Sequence, residues 1–84
     1  MKYKILILRQ AQKELAQLPS NYYSQTKEAI RALAHHPRPP GALKLTGRNG
    51  WRLRIGPYRV IYEIEDIKKT LTILHIGHRR DIYR

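Results

Sequence analysis

Arginines placed in register on a β-hairpin are the side chains of this sequence best arranged for chemistry. In WRLRIGPYRVIYEI (Trp51 to Ile64), apolar Trp51, Leu53 and Ile55 alternate with Arg52 and Arg54, the period-two pattern of a half-buried strand. Gly56-Pro57 interrupts it. A two-residue loop at that point sets Ile55 opposite Tyr58, Arg54 opposite Arg59 and Leu53 opposite Val60. Glycine at the first loop position supplies the positive φ of a type II′ turn, and Pro57 fits the second because its missing N–H is not needed by the ladder. Directly opposed like charges destabilise a sheet, so the pair Arg54/Arg59 points to an anion held between them. A planar guanidinium grips phosphate through two hydrogen bonds at once. Beyond the last strand, HRRDIYR (His78 to Arg84) adds a histidine, a phenol and three more arginines.

The elements that position these residues follow from periodicity and punctuation. Lys2 to Leu8 reads as a first strand, too short for a helix. Arg9 to Leu18 carries Ala11, Leu15 and Leu18 as one helical stripe, stopped by Pro19. Ser20 or Asn21 is expected to cap a second helix that aligns Tyr22, Thr26, Ala29, Ile30, Leu33 and Ala34 and ends before Pro37. HHPRPPG (His35 to Gly41) is a proline-punctuated connection. Leu43 and Leu45 flank Lys44 in a brief strand, and GRNG (Gly47 to Gly50) is a turn. The hairpin follows, then a charged turn at Glu65 to Lys69 and a final strand from Thr70 to Ile76. Two amphipathic helices need one sheet face to cover. The order β-α-α-β-β-β-β therefore predicts an α+β domain, an antiparallel-rich five-stranded sheet with a two-helix hairpin packed on one face.

Composition narrows the function classes. The chain has 84 residues, enough for one small domain, with 42% hydrophobic residues and a formal charge of +11. It is apolar enough to fold, so the charge belongs to a surface, and a polyanion such as nucleic acid is the partner that charge fits. Cysteine is absent, which removes disulfides and thiolate metal sites and makes a reducing cytoplasm the expected compartment. The longest apolar run, Ile5 to Leu8, is too short to span a bilayer or to form a signal-peptide core, so no membrane partner is expected. Six acidic residues are scattered without a nearby histidine cluster, so neither a metal nor another cofactor is implied.

The segments WRLR (Trp51 to Arg54), GPYRVIYEI (Gly56 to Ile64) and IGHRRDIYR (Ile76 to Arg84), with KELAQLP (Lys13 to Pro19) and KLTG (Lys44 to Gly47) upstream, resemble the RelE/ParE superfamily of bacterial toxins over essentially the whole chain. The resemblance implies a single RelE-like toxin domain over 1–84. It also implies a ribosome-dependent mRNA endonuclease that works without metal and leaves a 2′,3′-cyclic phosphate, in contact with mRNA on the ribosome and with 16S-type ribosomal RNA. A RelB-like antitoxin with an acidic segment would be its cognate partner. By that resemblance Arg59 matches the arginine that positions the scissile phosphate, Arg79 the arginine after the last strand, and Tyr83 the catalytic tyrosine. Arg52 falls where RelE-like members often carry lysine. ParE-like members, which inhibit gyrase, lack the catalytic arginine and tyrosine, and a non-catalytic basic RNA-binding module is a further alternative.

Cleavage by a 2′-hydroxyl needs a proton acceptor, cations for the phosphorane-like charge and a proton for the leaving oxygen. Arginine, with a pKa above ~12, is no base at neutral pH, so the acceptor stays open among Tyr83, His78 and Lys44. Arg54, Lys44, Arg80 and Arg84 are candidate contacts to the RNA backbone. Each has a plainer reading. Arg52 and Arg54 fit a solvated strand face, Tyr58 and Tyr62 share the apolar parity of Val60 and Ile64 and belong to the core, and Trp51 packs there too. His75 reads as a sheet residue, and His35 and His36 as helix C-terminal charges.

Overall fold

The computed structural model describes residues 2–78. The tail candidates Arg79, Arg80, Tyr83 and Arg84 lie outside them. β1 (Lys4–Ile7) alternates exposed and half-buried residues, as an edge strand should. α1 (Arg9–Ala16) follows at once and turns its Ala11 and Leu15 inward. It is two residues shorter than its stripe implies. Ahead of Pro19 the chain tightens into i→i−3 bonds, from the Gln17 N–H to the Glu14 carbonyl and from the Leu18 N–H to the Leu15 carbonyl, both 3.2 Å.

α2 (Ser20–Leu33) buries Thr26, Ile30 and Leu33. The expectation that Ser20 or Asn21 caps it is corrected here. The residue preceding the helix is Pro19, which makes no side-chain cap, and Ser20 is already helical. Pro19 at ψ 148° is extended, and its carbonyl accepts the first helical bond from the Tyr23 N–H at 2.8 Å. Proline thus closes one helix and launches the next within a single residue.

The strands β2 (Leu43–Lys44), β3 (Trp51–Ile55), β4 (Tyr58–Glu65) and β5 (Thr70–His78) complete a five-stranded sheet in the order β1-β5-β4-β3-β2. β1 runs parallel to β5 and every other pair is antiparallel, so the sheet is mixed. The hairpin has the expected register, with Ile55 opposite Tyr58, Arg54 opposite Arg59 and Leu53 opposite Val60. Gly56 adopts φ +59°, and with Pro57 held at negative φ by its ring the loop fits type II′. Gly56 is also required for space, because a Cβ there would sit 2.5 Å from Tyr22 Cε1.

Pairing between β4 and β5 skips a residue. Ile61 faces His75 but Tyr62 faces Ile73, so Leu74 is extra and β5 bulges. The bulge puts both Ile73 and Ile76 on the covered face, where they are fully buried with Val60, Tyr62 and Leu71 against Leu15, Ile30 and Leu33. Tyr62 belongs to this core as expected, and Trp51 packs half-buried at its margin. The Tyr62 hydroxyl donates to the Pro37 carbonyl at 2.8 Å and fastens the proline-rich connection. Burial pushes that phenol up to about 12. Arg38 of the same connection makes a two-pronged bond to Asp66 in the β4–β5 turn (3.3 and 2.8 Å), and Tyr3 donates to the same carboxylate at 2.6 Å.

Candidate nucleic-acid interface

The helices cover one face of the sheet and the arginines occupy the other. Paired residues on neighbouring strands project to the same side, so the register lays the open face out in rows. The outer row runs Arg54 on β3, Arg59 on β4 and Gly77 on β5; the next runs Leu43 on β2, Arg52, Ile61 and His75. Further along come Glu63 with Thr72 and Glu65 with Thr70. The face therefore has a cationic end at the Gly56-Pro57 turn, whereas towards the opposite turn Glu63 and Glu65 share it with Lys4 of β1. Arg54 is held over the hairpin, where its Nε donates to the Gly56 carbonyl at 3.2 Å. Opposite Arg59, Gly77 offers no side chain.

A groove of about 340 Å³ crosses the second row. Lys44, Arg48 and Arg52 line it on one side and His75 on the other, with Ile61 as its floor. Ile61 is only 3% exposed although it points away from the helices, because these long side chains close over it. Lys44 stands at the rim, its Nζ 5.8 Å from the centroid of Trp51, whose ring also lies 5.3 Å from the Arg38 guanidinium carbon. A second concavity beside Trp51, of about 390 Å³, is walled by Arg38 and Lys44 but also by Glu63 and Glu65. Its mixed charge suits an anion less well than the groove at Arg52.

The candidates fall into three sets. Arg52, Arg54 and Arg59 share the open face; Lys44 pairs with Trp51, so its register is that of the covered side, and it borders the groove only at the sheet edge. His78 does not share the open face. It pairs with Tyr58, and their rings meet edge to face at 5.7 Å, with Tyr58 in turn 5.1 Å from Tyr22. That places His78 on the helix-covered side, across the sheet from Arg59. The third set, Arg79, Arg80, Tyr83 and Arg84, lies outside the described residues.

The sequence did not point to two of the groove residues: Arg48, and His75, which reads there only as the sheet residue it is. Uninterrupted alternation from Leu71 and Ile73 puts His75 on the covered face and His78 on the open one, and the bulge at Leu74 exchanges them. The signal was present in the doubled apolar pair Ile73-Leu74, which breaks the period of two. Beside His75 the outer edge of β5 is free of β1, which ends at Ile7, and Glu14 of α1 caps it: the Ile76 N–H donates to Glu14 Oε1 at 2.9 Å. The same oxygen lies 3.7 Å from His75 Nδ1. No group of three or more potential metal ligands is assembled among the described residues, and no helix among them is long and apolar enough to cross a membrane.

This fold has known counterparts. Residues 5–83 match the family model of the ParE toxin of the type II toxin-antitoxin system, parDE. Toxin RelG of Mycobacterium tuberculosis is 33% identical over 86 aligned positions, covering 100% of this chain and 99% of that protein. Among solved structures, the RelBE2 toxin-antitoxin complex of Mycobacterium tuberculosis superimposes with a TM-score of 0.83 at 26% identity, covering 96% of this chain and 95% of that one. The archaeal RelE-RelB complex of Pyrococcus horikoshii does so with a TM-score of 0.81 at 32% identity, covering 96% and 99%. The chain belongs to the RelE/ParE family and is a toxin of a type II toxin-antitoxin system.

Proposed function

We propose that this toxin is a ribosome-dependent endoribonuclease that cleaves mRNA in the ribosomal A site, without a metal ion, and so arrests translation in the cytoplasm. The observation that carries this reading is the directly opposed pair Arg54 and Arg59 on the open face, at the head of the groove lined by Arg52. Two guanidinium groups set opposite each other suit an anion between them, and the anion with the greatest need of them is a phosphate gaining charge as a 2′-oxygen attacks. Arg59 is assigned the grip on the scissile phosphate. Arg52 supports it, and Arg54 and Lys44 hold the flanking backbone. Arg79 and Tyr83 enter through the family resemblance, with Arg80 and Arg84 as further backbone contacts. The products would be a 2′,3′-cyclic phosphate and a 5′-hydroxyl. The non-covalent partners are mRNA on the ribosome, 16S-type ribosomal RNA and a RelB-type antitoxin with an acidic segment.

A second reading is favoured by the match to the ParE model: a toxin that binds gyrase and cuts no RNA. Primer extension on mRNA carried by programmed ribosomes, run beside a gyrase supercoiling assay, separates the two. RNA scission with unimpaired supercoiling supports the nuclease, and the reverse result supports the gyrase inhibitor.

A further inference from the structure

We propose that His75, oriented by Glu14, is the group that takes the proton from the attacking 2′-hydroxyl. The inference rests on the nuclease reading above and supplies the acceptor that the arginines cannot be. Three observations carry it. His75 is a wall of the cationic groove, directly across Ile61 from Arg52 and one row from Arg59. Its side chain is 44% exposed, so the ring is open to a bound strand. Its Nδ1 lies 3.7 Å from the Glu14 carboxylate, which is itself pinned by the Ile76 N–H.

A carboxylate on the Nδ1 side favours the tautomer with its proton there and leaves Nε2 as the acceptor. It also stabilises the imidazolium that forms when Nε2 is protonated. Among the described residues, the charged groups at the ring and its groove are Glu14 on α1, Arg52 on β3, and Lys44 and Arg48 on the far side of the groove. The alternatives named from the sequence fare differently. His78 lies across the sheet, Lys44 carries an ammonium that must first lose its proton, and Tyr83, which the family resemblance implies, lies outside the described residues.

In the step itself, Nε2 of His75 accepts the 2′-hydroxyl proton while O2′ forms its bond to phosphorus. The bond from phosphorus to O5′ breaks with its electron pair on O5′, which takes a proton from solvent water. The imidazolium then returns its proton to solvent. Charge and atoms balance with no further reactant.

The test is single-turnover cleavage of A-site mRNA on programmed ribosomes across pH 5.5 to 8.5, for the parent, His75→Gln and Glu14→Gln. General-base loss predicts a rate reduced on the order of 10²-fold in His75→Gln. The parent profile should rise with pH through the imidazole range and that limb should vanish in the variant. Glu14→Gln keeps an acceptor for the Ile76 N–H and removes the charge, so its limb should move to lower pH with a smaller loss. A structural role alone would lower the rate at every pH without moving the limb. Ribosome binding and thermal melting are measured on each variant, and the rate comparison is made among folded, ribosome-bound protein. His75→Gln with the parent rate and the parent pH limb overturns the proposal while leaving the nuclease reading intact. A parent protein that leaves the mRNA whole overturns both.

Discussion

Arg59 stands at the centre of the cationic end of the sheet, with Arg54 on one side and the bare Gly77 position on the other. If it stabilises charge on the phosphorane, Arg59→Ala should lower single-turnover cleavage on the order of 10²-fold or more while the protein still folds. A folded variant that cleaves at the parent rate contradicts the assigned grip. The place of Arg59 opposite Arg54 was legible in the sequence because a two-residue loop leaves only one register. The histidines were not legible in the same way. A single extra residue at Leu74 reverses the facing of everything after it, so His75 gained the groove that alternation assigned to His78. Arg48 was missed for another reason: it sits in a glycine-bounded turn, and only the folded chain brings that turn over Ile61.

The elements that hold the open face depend on a few tight junctions. Gly56 combines φ +59° with contact against Tyr22, which ties the hairpin turn to α2. Gly56→Ala should destabilise the fold by about 1–2 kcal/mol from the backbone alone, with the Tyr22 contact adding to it, and a urea midpoint equal to the parent's would contradict this. At the other end of the sheet, Arg38 and then Tyr3 hold the Asp66 carboxyl down to about 2. The folded value lies below the unfolded value of ~3.9, so this group's contribution is fully present above pH ~4 and is lost as pH falls through about 2. The melting temperature should therefore fall less over that window in Asp66→Asn than in the parent, and equal falls would remove the linkage. Helix stripes, the succession of elements along the chain and the charged turn were readable from period and proline, whereas the parallel seating of β1 beside β5 was not. The start of α2 was not, because Pro19 does with its carbonyl what a serine side chain was expected to do.

At the scale of the whole molecule, a charge of +11 on 84 residues makes the toxin a long-range attractor of polyanions. RelE relatives in the matched structures are held by RelB antitoxins. If an acidic antitoxin segment is captured through the open face, its association rate should fall steeply with added salt while dissociation changes little. A salt-independent association rate would instead assign capture to apolar docking, for which the exposed Leu6, Leu8 and Leu43 are available. The family was legible in the sequence because its signature segments are local, whereas the target was not, since nuclease and gyrase inhibitor share one scaffold. The most direct measurement is toeprinting of an mRNA with a defined A-site codon on purified ribosomes, with and without the toxin. The nuclease account predicts a new primer-extension stop inside the A-site codon, dependent on ribosomes, undiminished by EDTA added in excess of any toxin-bound metal under conditions that keep the ribosomes intact, and lost in Arg59→Ala. Full-length mRNA on ribosomes saturated with toxin would contradict it.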